Sequence, residues 1–198
     1  MLVLGLSGSL RRDSHNRKLL RAAAGELPPG SRLAVWEGLP DLPPYDQDLD
    51  VAPAPPAVRQ LRDALASADA ILISTPEYNS SIPGVLKNAL DWASRPFPHN
   101  ALRDKPVAVV GASTGLFGAV WAQAETRKVL KTIGAHVIER ELPVGTAYAA
   151  FDDDGNLLDP DLRTELAAVV DDLLREVDAP VESEAADRAA RIEERVEA

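Results

Sequence analysis

Residues 70–84 read AILISTPEYNSSIPG, and this stretch decides the class of fold. It begins with a short apolar run and continues as a polar loop that prolines restrain at both ends. A run of this length that stops at a polar cluster is typical of a strand buried on both faces of a parallel sheet. In α/β proteins, ligands bind outside the carboxyl ends of such strands.

The same pattern occurs twice more, in residues 2–6 (LVLGL) and 106–110 (PVAVV), and more weakly in residues 33–36 and 136–138. Between these runs, helical periodicity predicts helices over residues 15–26, 57–68, 84–93, 119–133 and 160–177. Strands that alternate with helices predict an α/β fold. We expect a doubly wound, five-stranded parallel sheet in the flavodoxin-like order 2-1-3-4-5, with three α/β/α layers.

Charge divides the chain into two parts. The net charge is −10, yet residues 1–150 hold 16 basic and 15 acidic side chains, whereas residues 151–198 hold 5 and 16. A helix-stopping Pro180 follows the last predicted helix. We therefore expect one domain over residues 1–178 and an acidic tail, helical or disordered, over residues 179–198. The negative balance argues against nucleic acid or an anionic membrane as partner.

Composition removes several other classes of function. The chain has no cysteine, which excludes disulfides, thiolate nucleophiles and iron–sulfur clusters. The three histidines stand apart from one another, so we expect no metal site. The N-terminal apolar run is short and its basic residues follow it, unlike a secretory signal, and no later run is long enough to span a bilayer. We expect a cytoplasmic protein.

The strand order places a ligand site between strands 1 and 3, at the loops that follow the three apolar runs. The first loop, residues 7–16 (SGSLRRDSHN), offers hydroxyls, an amide and a guanidinium, and it leads into a helix N-terminus. These are the components of a phosphate site. Neither GxxxxGK[ST] nor GxGxxG is present, so we expect a terminal monophosphate, as in FMN.

The second loop, residues 74–84, offers Tyr78 as a flat face and Asn79 as an amide, which suits a planar heterocycle. The third loop, residues 111–118 (GASTGLFG), matches G-x-S-x-G, the nucleophile elbow of α/β-hydrolases. A serine hydrolase is therefore an alternative, with Ser113 as nucleophile, Glu125 as acid and His136 as base. Glu125 falls in the middle of a predicted helix, which disfavours this triad.

Four motifs together resemble the NADPH-dependent FMN reductase family, which includes flavin, quinone, azo-dye and chromate reductases. They are G-S-L-R-x-x-S-x-N over residues 8–16, L-P-P-Y-x-x-D over 42–48, T-P-E-Y-N-x-S-x-P-G-x-L-K-N-A-x-D-W over 75–92, and S-T-G over 113–115. The likeness runs in order over roughly residues 1–175, and its third motif is the most specific.

The resemblance implies FMN bound by the three loops. By position, the phosphate would be bound by Ser9, Arg11, Ser14 and Asn16. The isoalloxazine would be lined by Pro76, Glu77, Tyr78 and Asn79, and its other edge closed by Ser113, Gly115 and Phe117. NADPH or NADH would pass hydride to flavin N5, and the flavin would then reduce a second acceptor in a ping-pong cycle: a flavin, quinone, azo compound or metal oxyanion. No side chain is expected to be catalytic.

Two questions stay open at this point. An FMN-binding electron carrier without NAD(P)H turnover is the main alternative to the reductase. Where the family commonly has Arg, this chain has Trp121, which bears on nicotinamide preference and on assembly. The resemblance implies a homodimer or homotetramer, and Trp92 and Trp121 on two predicted helices favour an interface there.

Overall fold

A computed structural model describes residues 1–178, and the expected acidic tail, residues 179–198, lies outside the described residues. Helices and strands alternate along the chain. The strands are β1 (Leu2–Ser7), β2 (Arg32–Trp36), β3 (Ala70–Thr75), β4 (Pro106–Ala112), β5 (His136–Val137) and β6 (Pro143–Val144). The helices are α1 (His15–Gly25), α2 (Pro56–Ser67), α3 (Gly84–Ala93), α4 (Val120–Ile133) and α5 (Pro160–Asp178).

The sheet is parallel and follows the order β2-β1-β3-β4-β5, with β6 paired to the end of β4. This is the order expected from the sequence, and the flavodoxin-like α/β fold is confirmed. The three central strands are almost entirely buried, which explains why their sequences are continuous apolar runs rather than alternating ones.

Side chains of one strand alternate between two cores, one on each face of the sheet. Ile71 and Ile73 of β3 pack with α2, α3 and α4, whereas Ala70 and Leu72 pack with α1 and α5. The molecule therefore has three layers, and the helices that follow the strands begin at the carboxyl edge of the sheet.

The short strand β6 has no counterpart among the predicted strands, because two residues that include a proline carry no periodicity. Its role is local. Leu142 O and Val144 O accept hydrogen bonds from Gly111 N (3.1 Å) and Ser113 N (3.0 Å), and these bonds extend the pairing of β4 into the third loop.

Trp92 does not reach the surface, contrary to the expectation that it marks an interface. Its side chain is fully buried in the core, and its Nε1 donates a hydrogen bond of 2.8 Å to Pro43 O. Trp92 thus anchors the proline-rich connection between β2 and α2 against α3. Trp121 on α4, by contrast, is 48% exposed.

Among residues 1–178, every helix is too short or too polar to cross a lipid bilayer. Across the same residues, no three His, Asp or Glu side chains come together in an arrangement that could hold a metal ion.

Candidate functional site

The three predicted loops meet at the carboxyl edge of the sheet. The parallel register aligns Ser7 with Ser74, and Thr75 with Gly111, so that β1, β3 and β4 end side by side. Gly8 N donates to Ser74 O at 2.8 Å, which joins the first and second loops directly. The strand order reverses between β1 and β3, and the loops therefore border the crevice where this class of sheet binds ligands.

Asn16 ties α1 to the ends of two strands. Its Oδ1 accepts hydrogen bonds from Ser74 Oγ (2.8 Å) and Ala112 N (3.0 Å), and its Nδ2 donates to Ala112 O (2.9 Å). The side chain is 3% exposed. Asn16 therefore fixes the first loop relative to the sheet, and its contact with a phosphate stays a prediction.

The first loop leads into α1 and carries the buried polar side chains of Ser9 and Ser14. Ser14 caps the helix, since its Oγ accepts a hydrogen bond from Arg17 N at 3.3 Å. Ser9 is also buried, and its Oγ accepts from Arg11 N at 3.4 Å. The Arg11 side chain is 60% exposed and donates to Asp13 O at 2.6 Å, so its guanidinium is held near the loop.

The first loop brings the positive side chains of Arg11 and Lys18 close to the imidazole of His15. Burial lowers the pKa of His15 from its ordinary value, the charges of Arg11 and Lys18 lower it further, and Asp13 opposes them. Together with the positive end of the α1 dipole, this field favours an anion at the loop.

The second loop contains a tight turn. Tyr78 and Ser81 exchange two backbone hydrogen bonds of 3.2 Å, and the two residues between them, Asn79 and Ser80, have φ values of 54° and 59°. Two consecutive positive φ values are typical of a type I′ turn, in which Asn is favoured. Pro76 is buried at the base of the loop, and Tyr78 is 53% exposed at its tip.

Glu77 links the second loop to the start of α4. Its Oε2 accepts hydrogen bonds from Trp121 N and Ala122 N, both at 3.0 Å. The residue before α4, Ala119, has a φ of 63° and no side chain that could cap the helix. A carboxylate from 44 residues away therefore satisfies two free N–H groups and complements the helix dipole.

Glu125, one helical turn further along α4, makes a second link to the same loop. Its Oε2 accepts from Ser81 Oγ at 2.6 Å and from Ile82 N at 3.2 Å. These two hydrogen bonds, with Ser81 as the larger cause, lower the pKa of the Glu125 carboxyl from its ordinary value. The second loop is therefore attached to α4 at both of its ends.

Backbone hydrogen bonds join the third loop to the segment around β6. Thr146 N donates to Gly115 O, and Ala147 N donates to Ser113 O, both at 3.0 Å. Ser113 Oγ accepts from Gly115 N at 3.1 Å, which closes a small turn. Phe117 is 61% exposed at the open side of this loop.

The residues present fit FMN on chemical grounds. The first loop supplies the hydroxyls, guanidinium and helix N-terminus that a phosphate monoester requires. The second and third loops present an exposed tyrosine and an exposed phenylalanine, which offer aromatic faces to a planar heterocycle.

The structure does not support a serine hydrolase. Ser113 follows the carboxyl end of β4, whereas His136 pairs with Pro106 at its amino end. Seven residues of strand separate them by roughly 23 Å, at about 3.3 Å per residue. Glu125 is engaged with Ser81 and Ile82, so the three groups cannot act together.

All eleven predicted site residues therefore lie in the three loops or at the start of α1, on one edge of the sheet. The carboxylate of Glu77 turns toward α4, and its predicted contact with the isoalloxazine stays a prediction. Sequence reasoning missed Glu125 as an anchor of the second loop, and no local signal could have revealed it, since its partners are 43 and 44 residues away.

Comparison with known proteins gives three findings. The model of the NADPH-dependent FMN reductase family matches residues 1–149. A relative from Pseudomonas aeruginosa, named NAD(P)H-dependent FMN reductase, is 44% identical over 162 residues, which are 81% of this chain and 86% of the relative. A quinone reductase from Pseudomonas putida is 40% identical over 165 residues, covering 83% and 88% of the two chains.

A solved structure is similar over almost the whole described fold. It is the flavoenzyme NAD(P)H:(acceptor) oxidoreductase FerB from Paracoccus denitrificans, with 36% sequence identity and a TM-score of 0.79. The match covers 89% of this chain and 97% of FerB.

Proposed function

Because the chain belongs to the NADPH-dependent FMN reductase family and is an NAD(P)H-dependent oxidoreductase that uses FMN, we propose that it reduces small quinones in a ping-pong cycle. The observation that carries the proposal is that three loops meet where the strand order reverses. The first of these loops supplies the hydrogen-bond donors that a phosphate group requires. The Pseudomonas putida relative is named a quinone reductase, which supports the choice of acceptor.

The flavin contacts of the proposal are those the motifs imply. The first loop binds the phosphate, the second lines the isoalloxazine, and the third closes its other edge. The residues are Ser9, Arg11, Ser14 and Asn16, then Pro76, Glu77, Tyr78 and Asn79, then Ser113, Gly115 and Phe117. For Glu77 the contact is proposed through the backbone, since its carboxylate accepts from Trp121 N and Ala122 N.

FMN, when bound, accepts the hydride of the reduced nicotinamide at N5 and transmits two electrons to the acceptor. Overall, NAD(P)H loses a hydride and becomes NAD(P)⁺. The quinone gains the two electrons and one proton of that hydride and a second proton from solvent, and leaves as the hydroquinone. The chain's own residues contribute position and field. The first loop attracts the phosphate, and the tight turn at Asn79 and Ser80 keeps the second loop rigid without a ligand.

The location and assembly of the protein are part of the proposal. It acts in the cytoplasm, where the reduced nicotinamide is made, and forms a homodimer or homotetramer through α3 and α4. An open cavity of about 400 Å³ between these helices supports this arrangement, because its walls include Val129, Ile133 and the 71% exposed Phe97. Light scattering after size-exclusion chromatography measures the mass directly, and a strict monomer would contradict the proposed assembly.

The decisive experiment mixes the FMN-loaded full chain with NADPH or NADH under anaerobic conditions and follows the flavin absorbance band. Rapid bleaching is expected, and the faster donor identifies the preferred nicotinamide. A second mix with a quinone should restore the oxidised spectrum.

Each other outcome has a definite meaning. If the protein binds FMN but neither donor bleaches it, the electron-carrier alternative replaces the reductase. If the protein binds no FMN, the assignment of the three loops is wrong. As a control variant, Arg163→Ala removes an exposed arginine of α5 that lies outside the three loops, and it should bind FMN as the wild-type protein does.

A further inference from the structure

Two aromatic side chains form an exposed pair beside the proposed flavin site. The rings of Phe117 and Trp121 meet edge to face, with centroids 5.2 Å apart and planes inclined by 69°. They are 61% and 48% exposed, and Leu116 beside them is 75% exposed. Large apolar surface that stays in contact with water is a feature of binding sites.

The pair is fixed in position relative to both loops around it. Trp121 is the second residue of α4, and its N–H donates to Glu77 in the second loop at 3.0 Å. Phe117 belongs to the third loop, whose neighbour Gly118 packs against the backbone of β6. The aromatic surface therefore stands where the second loop, the third loop and α4 meet.

We propose that Trp121, supported by Phe117, forms the wall of the acceptor site and makes the enzyme selective for planar aromatic acceptors, namely quinones. The inference rests on the proposed function, because it requires FMN in the three loops. An indole edge or face offers a quinone ring the stacking contact that aromatic pairs prefer. An inorganic acceptor such as ferricyanide has no ring and receives no such contact.

The position of Trp121 makes it a specificity-determining residue rather than a catalytic one. Its indole carries no group that titrates near neutral pH, and the electrons come from the nicotinamide through the flavin. Its removal is therefore expected to change the KM for quinones and to change kcat much less.

The direct test is ¹⁹F NMR of the FMN-loaded, oxidised full chain labelled with 5-fluorotryptophan. The chain has three tryptophans, and Trp92 is fully buried in the core. Titration with menadione should shift the Trp121 signal, which a Trp121→Phe variant identifies, in a saturable manner. The signals of Trp36 and Trp92 should stay in place.

The kinetic test compares two acceptors in the same variant at saturating nicotinamide. For Trp121→Ala, the ratio of kcat/KM for menadione to that for ferricyanide should fall on the order of 10-fold, through KM. Trp121→Phe, which keeps an aromatic ring, should recover most of this ratio. Leu158→Ala removes an exposed apolar side chain on the α1–α5 side, outside the three loops and the proposed subunit interface, and should leave the ratio unchanged.

Contrary results would distinguish a failure of the acceptor-wall inference from a failure of the proposed function. If menadione does not shift Trp121 and the ratio is unchanged, the acceptor wall is wrong while the reductase stands. If Trp121→Ala changes the molecular mass and slows both acceptors equally, Trp121 is a subunit contact and the inference is also wrong. If wild-type protein shows no flavin bleaching by NAD(P)H, the proposed function itself has failed.

Discussion

Glu77 connects the two parts of the site through one carboxylate oxygen, and the cost of losing this connection is measurable. In Glu77→Gln a neutral amide oxygen replaces the charged acceptor of Trp121 N and Ala122 N. We expect a loss of about 1 kcal/mol in the free energy of unfolding, and about 2 kcal/mol for Glu77→Ala, because hydrogen bonds to charged groups are the stronger ones. Urea titration measures both values.

The control for Glu77 is a carboxylate on the surface. Glu139 is exposed and forms an ion pair with Lys131 on the surface, so Glu139→Gln should cost at most about 0.5 kcal/mol. Equal losses for the two Gln variants would show that Glu77 does not cap α4. The flavin affinity should fall only in the Glu77 variants, because the second loop loses one of its two attachments to α4.

The lowered pKa of His15 predicts how the free energy of unfolding of the flavin-free protein depends on pH. Its pKa is lowered in the folded state, so between pH 7.5 and 5.5 the unfolded chain takes up a proton at this imidazole more readily than the native chain does. The contribution of His15 to the free energy of unfolding is therefore present above pH 6.5, the ordinary pKa of histidine, and is lost as the pH falls below that value. We expect a shallower decline in His15→Gln, measured by urea unfolding at both pH values.

The same experiment controls for the aromatic contact of His15. The imidazole stacks on Phe151 with ring centroids 6.1 Å apart, so the variant loses some stability at every pH, and only the change with pH is informative. His99→Gln removes an exposed imidazole outside the first loop and serves as the matched control. A decline in His15→Gln as steep as in wild type would contradict the lowered pKa.

At the scale of single residues, the sequence predicted which loops meet at the carboxyl edge of the sheet better than which partners each side chain has there. Ser14 caps α1 through the backbone N–H of Arg17, and a contact over three residues is one that local sequence can indicate. Glu77 and Asn16 depend instead on partners 44 and 96 residues away. Long-range hydrogen bonds of this kind have no signature in local spacing.

At the scale of elements, the third loop depends on a glycine that no other residue can replace without strain. Gly118 has a φ of 58°, and a Cβ added there would lie 2.4 Å from the backbone carbon of Pro143. Gly118→Ala should lower the free energy of unfolding by about 3 kcal/mol, since both the left-handed backbone and the collision with β6 oppose it. Thermal and urea unfolding measure the loss.

Gly25 at the end of α1 is the matched control for this prediction. A Cβ there meets no heavy atom within 4 Å, so Gly25→Ala should stabilise the protein by about 0.5 kcal/mol. A harmless Gly118→Ala would mean that the third loop and β6 are not packed as described. Weaker FMN binding in Gly118→Ala alone would support the role of this loop in holding the flavin.

The long elements were predictable because each carries a periodic signal over ten or more residues. The predicted helix over 84–93 coincides with α3, the one over 57–68 is shifted from α2 by one residue at both ends, and the others differ by one residue at one end. The two-residue strands β5 and β6 are too short for such a signal. They depend on pairing with β4, which only the folded sheet provides.

At the scale of the whole molecule, the described hydrophobic cores and the excess negative charge lie in different parts of the chain. The described residues 1–178 form two cores, on the two faces of one sheet, and the first loop lies in the nearly neutral part of the chain. Residues 179–198 add six acidic and three basic side chains. Their net negative charge would repel a phosphate from any position near the site, so they are poor candidates for flavin contacts.

A chain shortened to residues 1–178 should therefore retain FMN. We expect the flavin Kd at 0.15 M salt, measured by fluorescence quenching, to stay within about twofold of the full chain, because charges separated by more than about 8 Å are largely screened there. Lowering the salt tenfold should then leave the shortened chain the tighter binder, since it lacks a repelling charge. Loss of FMN from the shortened chain would show that the tail completes the site, and the domain boundary at residue 178 would be wrong.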